Sequence, residues 1–162
     1  MSILVRKAEV LARQQNLKSA YELLCEADTR GSSEASYALG TWYLFGKYVK
    51  KDLNKAVEYL NKSAKKGNAD ALFNLAVCYE KGAGINKNLR KAFEFYCQAF
   101  DHGDFNAAYE VGRMLYYGLG VAKNLDLAEL FITLSKQKKL PIRKSSSKVF
   151  SKPAKSSSYQ LA

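Results

Sequence analysis

Apolar residues recur along this chain in short helical phrases separated by polar, glycine-bearing links. At 35, 39 and 43, and again at 53, 56, 59, 60 and 63/64, they return at the spacing of one face of a helix. Each such pair of phrases predicts two amphipathic helices joined by a turn. The N-terminal segment repeats the theme, with ILVRKAEVLARQQ as a first helix and NLKSAYELLCEADTRG as a second.

The phrases are copies of one another. Shifted by 36 residues, positions 35–68 lie over 71–104, and these over 107–140. The matching columns include Ala35/Ala71/Ala107, Gly46/Gly82/Gly118, Val49/Ile85/Val121, Lys51/Lys87/Lys123, Ala56/Ala92/Ala128 and Tyr59/Phe95/Phe131. Gly46, Gly82 and Gly118 come directly after the first helix, where a left-handed residue ends a helix well. Asp52, Asn88 and Asn124 precede the second helix as N-caps. Gly67 and Gly103 turn the chain into the next unit. Gly40, Ala76 and Gly112 are small residues predicted to let the two helices of a unit approach closely. Ala8 takes that position in the N-terminal pair, whose connection is about four residues shorter.

The stretch KGAGINKN contains a Gly-x-Gly that could cradle a phosphate. It recurs as GLGVAKN and, altered, as GKYVKKD. A nucleotide loop is needed once and a structural turn in every repeat, so these glycines are structural. The expected fold is all-α, a short right-handed α–α superhelix of four helix–turn–helix units over about residues 3–138. It divides into an N-terminal pair (1–34), three full repeats (35–138) and a flexible, basic Ser/Lys-rich tail expected to be disordered (139–162).

The order Ala, aromatic, Leu-Gly, Tyr, Gly-x-Gly-Val, Lys, Asp/Asn-Leu, Lys-Ala, aromatic at this period resembles the Sel1-like repeat family, a branch of the tetratricopeptide-type solenoids. The resemblance covers roughly residues 35–135. It departs at Tyr48, which replaces the second loop glycine, at Leu115, and at Lys139, where the closing glycine would stand. It implies a non-catalytic adaptor or scaffold and suggests a bacterial source. It implies no cofactor and no small-molecule substrate.

Charge changes the picture only at one end. The chain has 26 basic and 15 acidic residues, a net charge of +11. Eight of the basic residues and none of the acidic ones lie in 136–162, so the first 135 residues carry 18 basic against 15 acidic. The segment after the repeats, rich in Ser and Lys, is therefore a candidate arm for nucleic acid or an anionic membrane, an export or recognition signal, or simply a solubilising end. Cys25, Cys78 and Cys97 form no C-x-x-C pair, and no signal-peptide shape opens the chain. Reduced, buried thiols in a cytoplasmic protein are expected, with export lacking a cleavable signal as the alternative. The single histidine, His102, sits at a helix end with no nucleophile or orienting acid nominated beside it.

Stacked helix pairs create a concave surface lined by the first helix of each unit. With Gly40 facing its own partner helix, the outward positions are expected to include Tyr37, Thr41 and Phe45, then Phe73 and Val77, then Tyr109, Arg113, Tyr116 and Tyr117. The column Tyr37/Phe73/Tyr109 would form an aromatic ladder, Arg113 would meet a carboxylate, and Tyr116 and Tyr117 would wall the C-terminal end. A protein or peptide is the expected occupant. Packing between units is the competing role for the ladder. Trp42, Cys78 and Met114 share a column expected in the core.

Overall fold

The computed structural model describes residues 2–136. Among the described residues there are eight α-helices and no strand: α1 (Ile3–Arg13), α2 (Leu17–Thr29), α3 (Ser33–Phe45), α4 (Leu53–Ala64), α5 (Ala69–Lys81), α6 (Leu89–Asp101), α7 (Phe105–Tyr117) and α8 (Leu125–Lys136). Consecutive helices pair, and the second helix of each pair lies against the first helix of the next. This is the α-solenoid that the hydrophobic pattern predicts. The expectations for 139–162 lie outside the described residues.

The links between helices use the predicted chemistry. Asp52, Asn88 and Asn124 accept hydrogen bonds from the backbone N–H of Lys55, Lys91 and Leu127, at 3.1, 2.9 and 3.0 Å. These bonds satisfy donors that the first helical turn leaves unpaired. Gly46, Gly82 and Gly118 cap α3, α5 and α7 in the left-handed conformation.

The second loop glycine has a different reason. A Cβ on Gly84 would stand 2.3 Å from the carbonyl oxygen of Leu53, and one on Gly120 would stand 2.3 Å from the carbonyl carbon of Leu89. Each loop therefore presses its backbone onto the start of the preceding unit's second helix. Tyr48 holds the same backbone conformation in the first copy, with φ at 64°. Its ring lies 5.5 Å from that of Tyr21 and 6.2 Å from that of Trp42.

Within a unit the two helices touch through the small column. A Cβ on Gly40 would meet Leu60 at 3.0 Å, and one on Gly112 would meet Ile132 at 2.7 Å. Between units the core is a chain of buried clusters, centred on Leu24, Leu39 and Trp42, then on Leu60 and Leu75, then on Tyr96, Val111 and Met114. The first junction also holds a polar seam. Ser36 donates to one oxygen of Asp28 at 2.5 Å and Lys62 to the other at 2.7 Å, while Ser63 donates to the Ser33 carbonyl at 2.7 Å.

Candidate partner-binding surface

The expected aromatic ladder is a packing column, and it is open at one end only. Tyr37 is 4% exposed and packs with Leu60, Ala71, Leu75 and Cys78, three of which belong to α5 of the next unit. Phe73 is partly buried and sits edge-on to Tyr96 at 5.2 Å. Tyr109, at the last copy, is 49% exposed. Thr41 also departs from the expected outward position. It is fully buried, and its hydroxyl donates to the Ala38 carbonyl of its own helix at 2.8 Å. Val77 is partly buried against the last core cluster. The physical reason is geometric: the first helix of an interior unit has neighbours on three sides, so most of its surface is covered.

Arg113 is held inside a network. Its guanidinium donates to Glu80 from Nη2 and to Glu110 from Nε, each at 2.7 Å. Tyr96 donates to the other Glu80 oxygen at 3.0 Å. Burial works against the guanidinium charge, but the hydrogen bonds and charges of Glu110 and Glu80 outweigh it and hold the pKa of Arg113 above its ordinary value. The carboxylate expected from a partner is supplied by the protein itself. Burial, reinforced by Glu80, likewise raises the pKa of the Tyr96 phenol.

One column stays open in every repeat. Phe45 is 50% exposed, Lys81 is exposed and Tyr117 is 56% exposed, each the last residue of its helix before the capping glycine. Tyr116 is half-exposed beside Tyr117, with ring centroids 4.9 Å apart in a T-shaped arrangement. The ammonium of Lys123 lies 5.7 Å from the Tyr116 ring. Lys51, Lys87 and Lys123 are exposed in all three loops. Their Cβ atoms approach the capping glycines, so the stem has a packing role while the charged head faces water. The result is a rim of aromatic rings and lysines along the C-terminal ends of α3, α5 and α7.

The remaining residues singled out from sequence are structural. Trp42, Cys78 and Met114 are buried as expected. Burial pushes the thiols of Cys78 and Cys97 up to about 11. The ring of His102 lies against Gly67, 2.9 Å from where a Cβ would stand. Among the described residues no three His, Cys, Asp or Glu side chains group to hold a metal, and no helix is long and apolar enough to cross a membrane.

Two exposed leucines escape the sequence reading. Leu127 and Leu130 on α8 stand where the earlier units carry Lys55 and Lys91, and Glu58 and Glu94. The signal is present in the aligned repeats, as a change from charged to apolar in two solvent-facing columns.

Fold and surface together define a helical repeat protein whose units are built to stack. The chain belongs to the Sel1 repeat family, whose repeat matches residues 33–68, 69–104 and 106–131. Such repeats generally serve as protein–protein interaction modules and are typically non-catalytic. Among solved structures it is similar to a Sel1 repeat protein from Oxalobacter formigenes, with 26% identity and a TM-score of 0.78 over 84% of this chain and 57% of that one. The c5321 protective antigen of uropathogenic Escherichia coli shares the fold at 23% identity and a TM-score of 0.70, over 73% of this chain and 25% of that one. Helicobacter pylori cysteine rich protein B does so at 24% and 0.56, over 72% and 88%. The chain thus spans 57% and 25% of the first two. A comparison with curated proteins finds no match.

Proposed function

We propose that this protein is an adaptor that binds another protein along the rim formed by Phe45, Lys81, Tyr116 and Tyr117. One observation carries the reading: Phe45 and Tyr117 keep half their surface open in an interior unit and in the last one alike. Aromatic residues bearing that much free surface are favoured anchors at interfaces. Lys81 between them, and Lys51, Lys87 and Lys123 beside them, suit a partner that presents apolar and acidic side chains together.

The test is capture of partner from lysate by the full chain and by a variant combining Phe45→Ala, Tyr116→Ala and Tyr117→Ala. All three residues are exposed, so thermal stability is expected to stay within about 1 kcal/mol. Partner recovery is expected to fall at least tenfold. Unchanged recovery by a folded variant would remove the rim from consideration.

A further inference from the structure

Among the described residues, both ends of the stack leave open the columns that the internal junctions cover wholly or in part. At the C-terminal end, Tyr109 is the open copy of Tyr37 and Phe73, and Leu125 is the half-exposed copy of Leu53 and Leu89. At the N-terminal end, the alignment of Ala8 with Gly40 places Ile3 over Ala35 and Val10 over Trp42. Trp42 is buried against Tyr21 of the preceding unit, with ring centroids 6.0 Å apart, and Ala35 is buried in the same cluster. Ile3 is 83% exposed and Val10 is half-exposed.

Among the described residues, the charged side chains on α1 and on α8 differ in sign. Arg6, Lys7 and Arg13 are exposed on α1, where the one acid, Glu9, is largely buried. On α8, Glu129 replaces Val57 and Phe93, which meet the following unit, and Asp126 is exposed beside it. Lys136 is the single basic residue of that helix.

We infer that the C-terminal end of one copy receives the N-terminal end of a second copy, head to tail, extending the stacking that already joins the units within the chain. In this arrangement α8 and Tyr109 of one copy cover Ile3 and Val10 of α1 in the next. The basic stripe of α1 then faces Asp126 and Glu129. The short connection between α1 and α2 offers no loop to cover Leu125 as Gly84 covers Leu53. The contact therefore rests on α1 and is weaker than the internal junctions. Because the two surfaces differ, the association is heterologous and does not close on itself after one step. It uses none of the rim residues of the proposed partner site.

Sedimentation velocity of the full chain from micromolar to millimolar concentration gives the first reading, with mass rising beyond one copy expected. Two variants then separate the ends: Ile3→Asp with Val10→Asp, and Tyr109→Asp with Leu125→Asp. Each alone is expected to stay a single copy, and an equimolar mixture is expected to give pairs and nothing larger, since each variant keeps one open end. Circular dichroism checks that both fold. If either fails, Glu129→Lys and Arg6→Glu with Lys7→Glu replace them: each weakens self-association and the mixture restores it. The inference is overturned if the wild-type chain remains a single copy throughout. It is overturned equally if the N-terminal variant still pairs with itself, which would mean that two C-terminal ends meet.

Discussion

Tyr37 and Tyr109 occupy the same column of the same repeat, yet one is buried and the other half open. The difference lies wholly in the neighbour on the C-terminal side. Tyr37 has α5 of the next unit laid against it, whereas Tyr109 has no further unit beyond its own among the described residues. A residue in a solenoid therefore takes its role from its place in the array as well as from its own helix. The same contrast separates Leu53 and Leu89, which lie under a glycine loop, from the half-exposed Leu125.

Substitutions can break this comparison on either side. The largest effect is expected from Tyr37→Ala, which should lower unfolding stability by about 3–5 kcal/mol, against less than about 1 kcal/mol for Tyr109→Ala. Chemical denaturation of the two variants checks it, and equal losses would contradict the packing assignment. Gly84→Ala is expected to cost about 3 kcal/mol, because the new methyl group meets the Leu53 carbonyl and the backbone is left-handed. Tyr48→Gly, in the same column, should cost less than Gly84→Ala, since it removes a left-handed side chain along with its ring contacts. Melting temperatures of the two variants set that order. Gly40→Leu, which drives a side chain into Leu60, should cost about 1–3 kcal/mol.

The smallest effect is chemical. Cys78 and Cys97, with pKa values pushed up to about 11 by burial, are protonated at pH 8. Both should react with a disulfide reagent far more slowly than a free thiol in the native protein, and at the free rate once denaturant is added. A time course of thiol release with and without denaturant reads this directly.

The repeat makes the helices, caps and loop glycines legible before any coordinates. Asp52, Asn88 and Gly46 each have one local job, and a local job leaves a local signature. The surface is less legible. Taking Gly40 as the contact to α4 fixes one direction on α3, but two further directions, toward the previous unit and the next, look alike in a 3.6-residue pattern. The pattern points Tyr37 and Thr41 outward for that reason, and both are covered. It offers Arg113 to a partner because Glu80 lies 33 residues away in sequence, a pairing no periodicity announces. Phe45 and Tyr117 stay exposed because they end their helices, whereas Tyr116, whose copy Leu44 packs against the next unit, is open because no further unit follows it among the described residues.

The Asp28 seam bears on how the chain assembles. Asp28, Ser36 and Lys62 have no counterparts elsewhere in the array: their columns otherwise read Ala64, Phe100 and Lys136, then Leu4, Leu72 and Ala108, then Glu26, Gln98 and Leu134. Near-identical units invite a folding chain to dock the wrong neighbours and become trapped. Docking α2 against a later unit would leave the Asp28 carboxylate without its ammonium and hydroxyl partners, a penalty of several kcal/mol if it stays buried. A charged first junction thus gives a repetitive molecule a starting point from which its order can be counted.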